Sequence, residues 1–166
     1  MDNKFDFQDG NGPVPAYKHP NGGGWVADTA NVSETAYVGP DAKVSGNAQV
    51  SGNARVYGNA WVSGYARVYG NAWVSGYAEV TGNAKVSGNA RVSGNAQVSG
   101  DARVYDDAWV YDDAWAYGNT LVYDDAMVSG YAEVYDDAKI YDDAWATDNA
   151  QVSGNARVYG NAWVSG

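Results

Sequence analysis

Hydrophobic positions in this chain recur every sixth residue. Counting by six from Val26 to Val164 gives 24 positions, all Val except Ala116, Ile140 and Ala146. Counting by six from Ala30 to Ala162 gives 23, all Ala except Thr120. No insertion or deletion breaks the register. Six is not a multiple of the helical repeat of about 3.6, but it is even, as a strand requires. Val and Ala lie four residues apart, so in extended backbone both point to one face while their neighbours point to the other. Between them stand Gly-Asn or Asp-Asp pairs, residues that accept left-handed backbone and bond their own backbone in turns. The hexad therefore predicts a short strand, a corner and another short strand. A short fixed period of this kind predicts a β-solenoid.

Hexads such as VSGNAR and VYDDAW pair an aliphatic residue with a small one four places later. They resemble the hexapeptide repeat of left-handed parallel β-helix proteins, and the resemblance spans residues 25–166. It implies an all-β fold in which three hexads make one triangular 18-residue coil, wound left-handed, with about eight coils in all. The hand is implied by the resemblance; spacing alone also admits another β-solenoid. Coils stacked about 4.8 Å apart make a prism roughly 35–40 Å long. Residues 1–24 lie outside the repeat and hold Pro13, Pro15, Pro20, the Gly22-Gly23-Gly24 run and the chain's one histidine, His19. They are expected to form an N-terminal cap over the first coil's open edge. The repeat runs on to Val164-Ser165-Gly166 without a capping helix. This predicts an oligomer edge at Val158, Trp163 and Val164, and a homodimer joined through the C-terminal coils.

With an 18-residue coil, outward residues 18 apart stack into ladders. One row reads Asn31, Gln49, Arg67, Lys85, Arg103, Leu121, Lys139, Arg157, and beside it stand Tyr69, Tyr105, Tyr123, Tyr141 and Tyr159. A second row alternates: Tyr37, Arg55, Trp73, Arg91, Trp109, Met127, Trp145, Trp163. A third is mixed, from Trp25 and Lys43 to Glu133 and Gln151. Arg over Trp permits guanidinium–indole contacts. Two readings stand: long side chains covering strand backbone, or a protein-binding face with Trp73, Trp109 and Trp145 as its anchors and Arg91 and Tyr123 among its contact residues.

Charge sharpens this picture. The formal net charge is −10, which disfavours nucleic acid as a partner and suits a basic one. From Asp101 to Asp148 the corner pair Gly-Asn is repeatedly replaced by Asp-Asp. The pairs Asp106/Asp107, Asp124/Asp125 and Asp142/Asp143 are spaced by 18 and should stack on one corner. Carboxylates about 4.8 Å apart repel by roughly 1 kcal/mol even in water-like dielectric. Solvated turns, an acidic face for a basic protein, and Ca²⁺ between coils are the three readings of this corner. Ca²⁺ is the least favoured of them, and no cofactor or resident metal is expected.

Catalysis finds little support. The hexapeptide-repeat family includes acyltransferases that use a His base on acyl-CoA or acyl carrier substrates, and carbonic anhydrases with three His on zinc. His19 precedes the coils, and one histidine cannot make a three-His site. The carboxylates are repetitive corner residues without the varied surroundings that separate pKa values. The expectation is a non-enzymatic acidic β-solenoid that binds another protein. Its narrower form is a phage- or mobile-element-encoded inhibitor of a host protein, a role suggested by similarity to pentapeptide-repeat proteins that imitate duplex DNA. A hexapeptide-repeat acyltransferase is the alternative. The sequence has no cysteine, no leader-like N-terminus and no membrane-length apolar run, so a cytoplasmic location is expected.

Overall fold

Each hexad folds as a two-residue strand followed by a corner, and the corner is dictated by the pair after Val. In the computed structural model, which describes residues 3–166, the residue two places after Val takes a positive φ at corner after corner. At Gly64 φ is 68°, a conformation that glycine adopts without steric penalty. Where Asp replaces Gly, at Asp106, Asp112, Asp124, Asp136, Asp142 and Asp148, φ stays near 60° (58–60°). Asp is among the few L-residues that visit this region.

Among the described residues the chain has 26 strands in three sheets of ten, eight and eight strands. Successive hexads pass from one sheet to the next, so from Trp25 onward each strand pairs in parallel with those 18 residues away. Trp73 stands in register with Arg55 and Arg91, and Val74 with Val56 and Val92. The architecture is a parallel β-solenoid of about eight 18-residue turns.

The backbone accounts for its polar groups hexad by hexad. Trp73 N–H donates to Ala90 O at 2.9 Å, Ser75 N–H to Val92 O at 2.9 Å and Tyr77 N–H to Gly94 O at 2.7 Å, all in the next coil. Ala78 N–H closes the corner on Ser75 O at 3.3 Å. The inward Val and Ala side chains form one continuous core, fully sealed from Ala36 to Val110. Each buried Val contributes about 1.5–3 kcal/mol before chain entropy is subtracted.

The first sheet is extended at its N-terminal edge by antiparallel strands. β1 (Lys4–Phe5) pairs with β2 (Val14–Lys18), and β2 with β3 (Trp25–Ala27), the first strand of the coils. Phe7 is buried here beside Ala16 and Ala27, and Phe5 stacks on Trp25 at 4.5 Å between centroids. The loop after β2 crosses the third sheet's first strand, where Val38 N–H donates to Asn21 O at 3.0 Å and Gly24 N–H to Val38 O at 2.9 Å. A Cβ on Gly22, which has φ 115°, would lie 2.2 Å from Val38 O. The glycine run is what lets this loop approach so closely.

Candidate aromatic and acidic surface

With the interior filled by Val and Ala, chemistry is confined to the outward rows. The parallel register turns each row into a ladder, so neighbours 18 apart either satisfy or burden one another. On the third sheet the Arg/Trp alternation closes on itself. Arg55 lies over the Trp73 ring at 5.5 Å, and Arg91 over Trp73 at 5.1 Å and Trp109 at 5.0 Å. Trp73 and Trp109 are half-buried, Trp73 between two of the chain's own guanidinium groups and Trp109 under one. Beside them runs an amide ladder, Asn53 to Asn71 to Asn89, which ends when Asn89 donates to Asp107 Oδ1 at 3.1 Å.

Past Trp109 the third sheet changes character, because the next residues in the row are Met127, Trp145 and Trp163. Asp125, Met127, Asp143, Trp145, Asn161, Ala162 and Trp163 line a groove of about 730 Å³. Trp145 is 39 % exposed and meets Trp163 edge-on at 5.9 Å. Trp163 is held by its indole N–H, which donates to Thr147 Oγ1 at 2.9 Å.

On the second sheet the tyrosine row forms a parallel stack. Tyr105, Tyr123, Tyr141 and Tyr159 lie face to face at 5.0, 5.0 and 5.4 Å. Burial, then the neighbouring tyrosines and Asp106, Asp124 and Asp142, push the Tyr105 and Tyr123 hydroxyls above their ordinary range, against the pull of Arg103 and Arg157. Tyr123 is half-buried in this stack, on a different sheet from Trp145.

The acidic corner carries its own relief. The first Asp of a pair accepts from a backbone N–H one coil on: Asp142 N–H to Asp124 Oδ2 at 3.3 Å, and Gly160 N–H to Asp142 Oδ2 at 3.0 Å. The same bond recurs on another corner, from Gly154 N–H to Asp136 Oδ2 at 3.1 Å. Second-position Asp residues take an amide from the coil before, as Asp113 does from Asn95 at 2.9 Å and Asp137 from Asn119 at 3.1 Å. Among the described residues no three His, Cys, Asp or Glu side chains gather as a metal site.

The structure thus distributes the sequence-selected residues over several places. Trp73, Arg91 and Trp109 form one stack, and Trp145 belongs to the groove with Asp125 and Asp143. Asp106, Asp107, Asp124 and Asp142 belong to the corner between the second and third sheets. Val158 is buried, Val164 half-buried and Trp163 69 % exposed. Met127 as a groove residue escaped the sequence reading, as did the corner tyrosines Tyr65, Tyr77 and Tyr131, each 65–67 % exposed. The signal for those tyrosines was present: Gly-Tyr-Ala where other hexads read Gly-Asn-Ala. His19 is 2 % exposed, and its Nδ1 lies 3.2 Å from Asn21 O in the N-terminal segment.

The fold and its ladders define a β-solenoid repeat protein. The family model described as the YdcK β-solenoid repeat matches residues 48–64, 84–100, 96–112 and 150–166. Every match begins on an inward Ala, so all four sit in the same hexad register. No curated protein matches the chain.

Proposed function

We propose that this chain is a non-catalytic, acidic β-solenoid scaffold of the cytoplasm that binds another protein through the aromatic and charged face of its third sheet. The observation that carries the reading is the groove between Met127, Trp145 and Trp163, rimmed by Asp125, Asp143 and Asn161. Trp145 and Trp163 are exposed among polar neighbours, as at interaction surfaces, and Trp is enriched among residues that dominate binding energy. His19 supports the non-catalytic half of the reading, since it is buried and tied to backbone away from the outward rows. The left-handed winding rests on the hexapeptide resemblance, and inhibition of a host protein is the narrower form of the same reading.

Association with a second copy is the other part of the proposal. Gln151–Val152, Arg157–Val158 and Trp163–Ser165 are the last strands of the three sheets among the described residues, and the contact would run through them by strand-to-strand pairing. Sedimentation at micromolar concentration is expected to give a dimer mass; a monomer overturns that part.

The test of partner binding is affinity purification from source cells with wild type and a Trp109→Ala/Trp145→Ala variant, both shown to be folded by circular dichroism. The expected result is a partner held by wild type and lost from the variant. Equal recovery by both, or none by wild type, refutes the reading.

A further inference from the structure

The third sheet presents the same aromatic row twice, once with its cations and once without. In the N-terminal coils Arg55 and Arg91 cover the rings of Trp73 and Trp109, and the neighbouring corner column is Asn53, Asn71 and Asn89. In the C-terminal coils the Arg position between two tryptophans is filled by Met127, in register with Trp109 and Trp145. In those same coils the corner column becomes Asp107, Asp125 and Asp143. The cation has gone from the row where the anions arrive. The groove at Trp145 contains two carboxylates and neither Lys nor Arg. The remaining cations of these coils, Arg103, Lys139 and Arg157, stand on the second sheet.

From this contrast we infer that the Met127–Trp145–Trp163 groove receives an arginine side chain from a protein partner, held on the Trp145 ring as Arg91 is held on Trp73 and Trp109, with Asp125 and Asp143 meeting its charge. The inference rests on the protein-binding reading and names the chemistry of the partner. Three physical features favour guanidinium as the occupant. Its planar face stacks on indole, and its N–H fork reaches a carboxylate at the same time. The chain already stacks guanidinium on indole in the same row. The groove's charge is opposite to the ligand's, inside a protein whose net charge is −10. Trp163, pinned by its bond to Thr147, forms the far wall.

The probe is a blocked synthetic peptide with two arginines separated by Gly and Ser, titrated into the folded chain. The readout is the indole N–H signals in ¹H–¹⁵N spectra, assigned by single Trp→Phe variants. Saturable shifts are expected at Trp145 and Trp163, with Trp73 and Trp109 unmoved. The same peptide with citrulline, which keeps the shape and loses the charge, is expected to bind about tenfold or more weakly, a difference of about 1.4 kcal/mol. The decisive variant is Met127→Arg. It restores the N-terminal pattern and supplies the cation from within, so it is expected to weaken the peptide about tenfold while leaving the melting temperature unchanged or higher. Trp145→Phe serves as a second variant that keeps an aromatic ring and is expected to retain weaker binding.

No shift at Trp145 at millimolar peptide, equal binding of the citrulline peptide, or full binding to folded Met127→Arg would each overturn the inference. Sedimentation separates the remaining source of arginine, a second copy of this chain. A dimer mass abolished by Met127→Arg assigns the groove to self-association and overturns the partner. Failure here is distinct from failure of the protein-binding reading. A co-purified partner retained by Met127→Arg refutes the arginine groove and leaves that reading standing.

Discussion

Ala116 and Thr120 are consecutive inward residues in one coil, and each departs from the pattern in the opposite direction. A Val position has lost two carbons, and the next Ala position has gained a methyl and a hydroxyl. Both are fully buried, yet Ala116 stands outside the connected Val/Ala core. Thr120 Oγ1 donates to Tyr117 O at 2.6 Å and reaches Val134 O at 3.2 Å, and Val134 is the register partner of Ala116 in the next coil. The enlarged side chain at 120 thus reaches the backbone of the strand paired with the reduced one at 116, and the two departures are expected to compensate in volume. Thr120→Ala removes a methyl worth about 0.8 kcal/mol and buried hydrogen bonding worth about 1 kcal/mol, for a loss of about 2 kcal/mol. Ala116→Val pushes two carbons against Thr120 and costs about 1–3 kcal/mol by overpacking. The double variant restores the Val/Ala pair of other coils and is expected to lie within about 1 kcal/mol of wild type. Urea unfolding of all four proteins measures the coupling, expected at about 3–5 kcal/mol in favour of the double variant. Additivity within about 0.5 kcal/mol would show that the two substitutions are independent and refute the compensation.

Three further outcomes follow from the outward rows and the N-terminal loop. Folding raises the Tyr105 and Tyr123 pKa values, chiefly through burial, so their neutral forms are favoured in the native state. The stability they contribute is complete below the unfolded value of about 10 and lost as pH rises through the folded values. Denaturation midpoints should fall above that pH, and less steeply in Tyr105→Phe/Tyr123→Phe; equal slopes would refute this. Asp124→Asn keeps an acceptor for the Asp142 N–H and removes the central charge of the Asp106–Asp124–Asp142 column. It should stabilise the chain by about 0.5–1 kcal/mol at low salt and by almost nothing at 1 M, and a salt-independent effect in urea titrations would contradict the repulsion. Gly22→Ala would set a Cβ 2.2 Å from Val38 O, so the loop must lift and the amides of Gly24 and Val38 should exchange faster with solvent, as hydrogen exchange would report.

How much of this was legible in the sequence depends on the face considered. The inward register was fully readable because every inward site faces nearly the same volume limit, which only Ile140 and Thr120 exceed, and each by little. The corners were readable for a similar reason, since Gly and Asp are the residues that tolerate positive φ. The 18-residue ladder then made Arg91 over Trp73 and Trp109 foreseeable. Residues 3–24 were not readable in this way. They carry no period, and the antiparallel addition of β1 and β2 depends on contacts such as Phe5 on Trp25 that no spacing encodes. Sequence gives the repulsion of the corner carboxylates, but the backbone N–H that each of Asp112, Asp124, Asp136 and Asp142 faces appears only once the coils are stacked. The Trp163 bond to Thr147, 16 residues back, was hidden because it joins neighbouring coils off the 18-residue register.

The division between inner and outer rows explains why the functional signal sits where it does. A coil's stability comes from Val, Ala and backbone pairing, which are nearly identical from one turn to the next. Outward positions are then free to differ, and a difference between turns carries information because the scaffold supplies the comparison. Arg91 between two indoles shows what satisfies this surface, and Met127 between Trp109 and Trp145 shows where that satisfaction is withheld. Were the Asp residues of the C-terminal coils only turn formers, they would have no reason to concentrate where the row lacks arginine, since Gly-Asn makes the same corner elsewhere at no charge penalty. A column of carboxylates, Asp107, Asp125 and Asp143, stacked coil upon coil is a less favourable choice for the isolated chain than the Asn column it continues. It becomes favourable when a cation arrives, and the exposed indole beside Asp143 is where this structure makes room for one.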